Sequence, residues 1–378
     1  MFYYQSTRLE SVISRRALLG SVPLLIASAC SRRRSRTGFR GYAFVANYDG
    51  RTIAAVDLEA MAVARLIPLS GSPKVLISSE QRPSVYALSP DNGTLYEIST
   101  GQLALARQLN VASSAVDAHV SSDGNSLYVL AREPRALIRV NLDSFQVTGR
   151  IALPAEPAAF TLAPDGKTAA VVMGNQIYLA DLPTSLIKAM GSGDFGALRF
   201  IASSETLIAA DRGVRRLSLF DRRSARLICH LPLGVSPDNL CFNQDGGQLF
   251  VTGAGSDAVV VVFPFHTPEV AETILAGRAP GPMAASRQFL FLASPASGDV
   301  SILEIASRRI IAIVSAGGEP AFIAITPNDQ YALILNRQSG DMSVLRIDTI
   351  TRNRNRRASL LTVIPVGSKP VSAVVRAV

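Results

Sequence analysis

Short apolar segments separated by turn-forming residues make up almost the whole chain after residue 40. Residues 42–69, YAFVANYDGRTIAAVDLEAMAVARLIPL, contain three apolar segments, which an NYDGR turn and a polar corner separate. Gly, Pro, Asp and Asn recur at about eight- to twelve-residue intervals, and outside the N-terminal leader no helical periodicity is present. This pattern predicts an all-β protein.

The pattern repeats with the period of a β-propeller blade. Eight junctions, seven of which contain Pro or Gly, each end a unit, and most units span about 40 residues, which is the length of four strands. The junctions are SGSP (70–73), ASSA (112–115), PAEP (154–157), GSGDF (191–195), GVSP (234–237), GRAP (277–280), GGEP (317–320) and GSKP (367–370). The four strands of a unit are named A to D, and in the eighth unit they read AFIAIT, YALILN, MSVLRI and LTVIPV.

The two ends of the repeat region complete each other. The first unit lacks a strand A, and the chain ends with VSAVVRAV (371–378), which reads as a strand A with no B, C or D after it. We therefore predict a single propeller over residues 41–378, closed by its C-terminal strand. Eight blades are favoured, and seven are the alternative because the fourth and fifth units are the least regular.

Two segments of the first unit carry a family resemblance. Residues 42–47 (YAFVAN) and 53–57 (IAAVD), with weaker echoes at 345–348 and in the turns at 121–125 and 243–247, resemble the YVTN β-propeller repeat. The chain has no Trp, which argues against the WD-repeat form of the fold. The resemblance implies a bacterial exported propeller, related to the superfamily that contains the propeller lactonases.

The N-terminus reads as an export signal over residues 1–30, followed by a basic tether over residues 31–40. Arg15 and Arg16 in SRRALLG give a twin-arginine-like motif, and the apolar stretch at 17–29 is too short to span a membrane. The sequence ASAC resembles a lipobox, which makes Cys30 the candidate for lipidation. An ordinary signal peptide cut near Ala29 is the alternative, and the choice between Sec and twin-arginine export stays open. We predict a membrane-anchored protein of the bacterial cell envelope or periplasm.

The excess of basic residues does not indicate a nucleic-acid partner. The formal net charge is +9, but residues 1–40 contain eight Arg and one Glu, so they contribute +7 of it. The run TRNRNRR (351–357) adds four more Arg in one loop. Because the rest of the chain is slightly acidic, no basic face that could follow phosphates is expected.

No residue set predicts a catalytic, metal or cofactor site. His119, His230 and His266 fall in strand A of the third unit, strand D of the fifth and the C-to-D corner of the sixth, so they cannot converge on a metal. Cys229 and Cys241 fall in strands D and A of successive units, too far apart for a disulfide. We therefore predict neither metal nor cofactor.

Candidate binding residues follow from position in the repeat. In propellers the D-to-A and B-to-C loops share one face, and strands A line the central channel. The candidates on the D-to-A rim are Glu156, Asp194, Asp238, Arg278, Glu319 and Lys369. The candidates in the channel are His119, Arg199 and Arg376. Mixed charge around a funnel suits a small polar ligand or a protein loop.

These features favour a non-enzymatic, monomeric, exported propeller. Its expected partner is an envelope protein or a small polar ligand bound on the funnel face, and its expected membrane attachment is an N-terminal lipid anchor. The alternative is a lactonase-like hydrolase, in which a rim Glu or His acts with an Arg to polarise a lactone carbonyl.

Overall fold

The computed structural model describes residues 38–201, 205–352 and 360–377. Within these residues, the strands form eight four-stranded antiparallel sheets, which are the blades of one β-propeller. The prediction of an eight-bladed all-β propeller is confirmed, and the seven-bladed alternative is wrong because the irregular fourth and fifth units each form a complete blade. Arg15, Arg16 and Cys30, with the tether up to residue 37, lie outside the described residues, as do residues 353–359.

Blades are numbered 1 to 8 in chain order, and strands β1 to β32 likewise. The strands of blades 1 to 4 are β1 (Gly41–Asn47), β2 (Thr52–Asp57), β3 (Ala62–Pro68) and the C-terminal β32 (Pro370–Ala377); β4 (Val75–Ser78), β5 (Ser84–Ser89), β6 (Thr94–Ser99) and β7 (Ala104–Asn110); β8 (Ser114–Val120), β9 (Ser126–Glu133), β10 (Ala136–Asn141) and β11 (Gln146–Ala152); β12 (Pro157–Leu162), β13 (Thr168–Met173), β14 (Gln176–Asp181) and β15 (Ile187–Ser192).

The strands of blades 5 to 8 are β16 (Phe195–Phe200), β17 (Thr206–Asp211), β18 (Arg216–Asp221) and β19 (Arg226–Pro232); β20 (Ser236–Phe242), β21 (Leu249–Ala254), β22 (Ala258–Phe263) and β23 (Glu269–Leu275); β24 (Met283–Ala285), β25 (Phe289–Ser294), β26 (Asp299–Glu304) and β27 (Arg309–Ser315); β28 (Pro320–Ile325), β29 (Tyr331–Asn336), β30 (Asp341–Arg346) and β31 (Leu360–Pro365). A 3-10 turn, Pro90–Asn92, and a short helix, α1 (Asp348–Arg352), interrupt the strands. No helix among the described residues is both long and apolar enough to cross a bilayer.

The ring closes through the two ends of the repeat region, as predicted. Strand β32 pairs antiparallel with β1, with Gly41 opposite Ala377 and Phe44 opposite Val374, and so supplies strand A of blade 1. Strands A of successive blades contact each other all the way round, and β32 contacts both β28 and β4. Closure leaves no open sheet between the first and last blades.

The core consists of the spaces between blades. Eight apolar clusters are present among the described residues, and each lies between two neighbouring blades. In β1, Phe44 and Ala46 pack towards blade 2, whereas Ala43 and Val45 pack towards blade 8. Because successive side chains of a strand point to opposite faces, inner strands must be apolar at every position. One blade alone could bury only one face, which explains why the unit is repeated around a closed ring.

Two buried asparagines join neighbouring blades. Asn47 Nδ2 at the end of β1 donates to Val366 O at 2.7 Å, and Asn336 Nδ2 at the end of β29 donates to Ala316 O at 2.9 Å. Each asparagine faces the glycine that follows the accepting residue, Gly367 or Gly317, where a Cβ would lie 2.5 Å from the Nδ2 atom. These glycines therefore leave room for the amide that holds the preceding loop.

Candidate functional site

The D-to-A and B-to-C loops lie on one face of the ring, here called the funnel face, and hydrogen bonds connect them blade by blade. The backbone N–H of Tyr48 donates to Lys369 O at 3.0 Å, and that of Arg337 donates to Glu319 O at 2.9 Å. The equivalent bonds in blades 4 and 5 end on the carbonyls of Glu156 at 3.3 Å and Asp194 at 2.8 Å. In blades 1, 5 and 8 the donor is Tyr48, Arg212 or Arg337, so a B-to-C side chain starts beside the rim residue, whereas in blade 4 the donor is Gly174.

A pocket of about 580 Å³ opens on this face between blades 1, 2, 3 and 8, here called the cationic pocket. Its lining comes from D-to-A loops, B-to-C loops and the first residues of strands A. The lining residues are Tyr48, Lys74, Pro90, Asp91, Ser114, Ala115, Val116, Arg132, Arg337, Lys369 and Val371. A cavity of this size falls within the range that small ligands occupy.

The wall of the cationic pocket carries four basic side chains and one carboxylate. Three of the four cations form ion pairs with carboxylates that are not part of the wall. These pairs are Arg132 with Glu156 at 3.0 Å, Lys369 with Asp49 at 3.4 Å, and Arg337 with Glu319. The fourth cation, Lys74, is exposed and pairs with no carboxylate among the described residues.

The only carboxylate on the wall, Asp91, is already engaged. Tyr48 donates its hydroxyl proton to Asp91 Oδ2 at 2.6 Å, and Lys369 Nζ lies 5.0 Å from the centre of the Tyr48 ring. The hydrogen bond to Asp91, together with burial, raises the pKa of Tyr48, so the phenol stays a neutral donor. The lining residues themselves carry three more positive than negative charges, but three of the cations are offset by carboxylates outside the wall, so the cation left for an anionic ligand is Lys74.

The predicted rim residues separate into two groups. Lys369 lies on the wall of the cationic pocket, and Glu156 and Glu319 hold two of the arginines of that wall. Asp194 lies in the D-to-A loop before β16, the first strand of blade 5. Arg278 lies in the D-to-A loop before β24, the first strand of blade 7. Both are on the other side of the funnel.

Asp238 lies in a strand, whereas the sequence predicted it in a D-to-A loop. It lies within β20 and not in the loop before it, at a bulge between Pro237 and Asn239. Its Oδ1 atom accepts from Arg212 Nε at 2.9 Å. The strand A of blade 3 has a bulge at the same place, between Ala115 and Asp117, so the bulge is a feature of the repeat.

The three predicted channel residues lie in strands A, but the structure does not bring them together. His119 in blade 3 has its Nε2 atom 3.5 Å from Asp117 Oδ2 and packs edge-on against Phe160. Arg376 in blade 1 donates from Nη2 to Arg82 O at 2.9 Å. Arg199 in blade 5 lines a separate cavity in the channel.

Four residues of the cationic pocket were not among the candidates predicted from the sequence: Tyr48, Lys74, Arg132 and Arg337. Tyr48 and Arg337 directly follow the asparagines that end β1 and β29, and Arg132 stands near the end of β9. Since B-to-C loops were expected on the funnel face, these positions could have been added to the D-to-A candidates. Lys74 directly follows the SGSP junction, so its position in the repeat could also have identified it as a candidate on the funnel face.

The polar side chains of the cationic pocket are mainly hydrogen-bond donors. Ser114 is the one alcohol of an aliphatic side chain on the wall, and the wall contains no His or Glu that could serve as its base. No group of three or more His, Cys, Asp or Glu among the described residues could hold a metal ion. What the wall offers is ammonium and guanidinium donors, which bind carboxylate and phosphate oxygens.

Comparisons with known proteins identify the fold and no family. No protein-family model matches the chain, and no curated protein matches it. Among solved structures, the chain is similar to dihydro-heme d1 dehydrogenase NirN in complex with DHE, with a TM-score of 0.76, 14% identity, and coverage of 92% of this chain and 78% of that one. It is also similar to apo AztD from Citrobacter koseri, with a TM-score of 0.69, 14% identity, and coverage of 89% and 98%. Hydrazine synthase from Kuenenia stuttgartiensis follows with a TM-score of 0.54, 15% identity, and coverage of 80% and 91%. At these identities, the comparisons establish that the chain is a β-propeller.

Proposed function

We propose that this propeller is a binding protein that holds a small anionic ligand in the cationic pocket. The observation that carries the proposal is the set of cations on the wall: four basic side chains line a volume of about 580 Å³ beside a single carboxylate, and one of them, Lys74, has no carboxylate partner among the described residues. Charge-assisted hydrogen bonds from Lys and Arg to carboxylate or phosphate are among the stronger polar contacts in proteins.

Lys74 is the primary anchor in this proposal. Its ammonium group has no carboxylate partner among the described residues, so a ligand anion gains its charge without displacing another. Arg132, Arg337 and Lys369 already have partners, and a ligand would share them with Glu156, Glu319 and Asp49. The ligand class is therefore a compact molecule with two or more anionic groups.

A small ligand fits the shape better than a protein partner does. Protein interfaces are broad and usually bury about 800 Å² on each side, whereas the charges here surround a recess. Among the structures of similar fold, NirN is in complex with DHE, which supports a propeller of this kind as a scaffold for a small ligand.

Isothermal titration with pyrophosphate and citrate tests the proposal. Both probes are compact polyanions, and we expect saturable 1:1 binding that Lys74→Met weakens about tenfold, since a hydrogen bond to a charged group is worth roughly 1.5–3 kcal/mol. Lys167→Met, an exposed lysine in the A-to-B turn of blade 4, is the matched control and should bind as the parent does. Equal affinity in the Lys74 variant, or no binding of either probe, would contradict the proposal. Stoichiometric capture of an envelope protein cross-linked at Lys369 would favour the protein partner instead.

We also propose that the protein is exported and lipid-anchored in a bacterial envelope through Cys30. The supporting features are Arg15 and Arg16, the apolar stretch after them and the ASAC sequence. Cys30→Ala should move the full-length protein from the membrane fraction to the soluble fraction of the envelope. If the variant stays with the membrane, the lipid anchor is wrong.

A further inference from the structure

A second cavity, of about 300 Å³, lies in the central channel against blades 5 to 8. Polar and apolar atoms share its wall about equally, and the apolar part includes Leu240, Met283, Phe322 and Ile323. None of these residues lines the cationic pocket, which lies over blades 1, 2, 3 and 8. The channel cavity is therefore a separate site with its own chemistry.

Two charged side chains reach the channel cavity, and only one of them has a carboxylate or guanidinium partner. Asp238 accepts from Arg212 Nε at 2.9 Å. Arg199 Nη1 donates to Leu198 O at 2.9 Å, and no carboxylate pairs with its guanidinium among the described residues. The charge left for a ligand is thus positive and stands beside an apolar surface.

The positions of the two charges along the channel give the cavity a direction. Asp238 is the third residue of β20, near the funnel face, whereas Arg199 and Cys241 are the fifth residue of β16 and the sixth of β20. Because strands A run away from the funnel face, Arg199 lies at the deeper end of the cavity.

We propose that the channel cavity binds an apolar carboxylate, whose carboxylate pairs with the Arg199 guanidinium and whose hydrocarbon chain lies against Leu240, Met283, Phe322 and Ile323. The guanidinium can donate two parallel hydrogen bonds to a carboxylate. Each CH₂ group that leaves water should tighten binding about fourfold until the cavity is full. This proposal does not rest on the cationic pocket, because the two sites share no lining residue.

The two described cysteines provide a direct assay. Cys241 lines the channel cavity, whereas Cys229 lies in β19, the outer strand of blade 5, and both thiols are free. We would measure alkylation of each cysteine by iodoacetamide with peptide mass spectrometry, at pH 9, because burial raises the pKa of Cys241 to about 11 and slows its reaction. Octanoate should protect Cys241 and leave the rate at Cys229 unchanged. Hexanoate should protect at concentrations about 16-fold higher.

Three variants test, in turn, the charge of Arg199, the space in the cavity and a second arginine of the channel. Arg199→Met should raise the octanoate concentration needed for half-protection about tenfold or more, and octan-1-ol, which has no charge, should protect parent and variant alike. Ala321→Phe fills the cavity and should abolish protection while the charge is kept. Arg376→Met, across the ring in blade 1, is the control and should behave as the parent does.

Equal protection of both cysteines, unchanged protection in Arg199→Met, or no protection of Cys241 by millimolar octanoate would each overturn the proposal. The rate at Cys229, together with the circular dichroism spectrum, shows that each variant is folded. Lys74→Met should leave the protection unchanged, so a failure of the cationic pocket and a failure of the channel cavity give different results.

Discussion

At the scale of single residues, the structure gives a reason for the asparagines at the ends of β1 and β29, which the pattern of apolar and polar positions did not provide. The sequence YAFVAN made Asn47 part of a family resemblance, but alternation of apolar and polar positions gives no reason for a buried amide. In the structure, both asparagines are fully buried, and each donates to a carbonyl of the loop that arrives from the preceding blade. The partner lies hundreds of residues away for Asn47, so its role could not be read locally.

Asn336→Ala should lower the free energy of unfolding by about 2 kcal/mol. The Nδ2 atom of Asn336 also lies 2.6 Å from Asp341 Oδ1 and 3.0 Å from Ser343 Oγ, so the substitution removes the donor that these groups share with Ala316 O in a buried place. Urea denaturation measures the change. Asn175→Ala, in the exposed B-to-C turn of blade 4, is the control and should stay within about 0.5 kcal/mol of the parent. Equal stability of the two variants would show that the amide does not hold the blades.

Tyr86 should make the protein sensitive to alkali. Burial, with the nearby charge of Glu97, raises the pKa of Tyr86 from 10.0 to about 12. Between pH 10 and 12 the unfolded phenol loses its proton while the folded phenol keeps it, so the free energy of unfolding falls as pH rises, by up to about 1.4 kcal/mol per pH unit. Tyr86→Phe should show a shallower fall over this window and the same slope as the parent between pH 7 and 9. Identical alkaline slopes would contradict the assignment.

At the scale of elements, the period of the apolar segments was enough to predict the blades, because a closed ring imposes the same burial on every unit. The number of blades followed from the spacing of the junctions. The contribution of β32 to blade 1 followed because the first unit lacks a strand A and the chain ends with one. The start of β20 at Ser236 and the bulge at Asp238 did not follow, because a bulge depends on the hydrogen-bond register between two strands. Register is a property of two paired strands, and the sequence of one strand alone says little about it.

Removal of residues 370–378 should abolish cooperative unfolding. Without β32, the edge of β1 is open and the cluster between blades 8 and 1 loses Ala373. A circular permutant that places residues 370–377 ahead of Gly38, through a short turn like those that join A to B in other blades, should restore it. Thermal unfolding by circular dichroism, with size-exclusion chromatography, distinguishes the forms. A truncated protein that unfolds like the parent would show that closure does not stabilise the ring.

At the scale of the whole molecule, the position of the basic side chains on the funnel face matters more for binding than the net charge of the chain. The candidates chosen from the sequence included both signs, and the structure places Lys369 with three other cations over blades 8, 1, 2 and 3. Lys74 and Arg132 are separated by 58 positions in sequence, yet the ring brings them to one wall. Composition could not predict this pocket, since the described body of the chain is close to neutral.

Binding of pyrophosphate should weaken as salt is added. The cations of the pocket are reached by solvent, so their attraction for an anion is screened once the Debye length falls from about 10 Å at 0.1 M to about 3 Å at 1 M salt. Octanoate in the channel cavity should depend less on salt, because apolar contact supplies part of its affinity. Titrations of both probes across this range measure the difference. A pyrophosphate affinity that does not change with salt would argue against a charge-based site.

The most direct test of the cationic pocket is a footprint of its lysines. Acetylation rates of individual lysines, measured by peptide mass spectrometry with and without saturating pyrophosphate, report where the anion binds. Lys74 and Lys369 should be protected severalfold, while Lys167 and Lys188, which line other surfaces, should react at unchanged rates. If Lys74 and Lys369 react as fast with pyrophosphate as without it, this wall does not bind the anion and the proposed site is wrong.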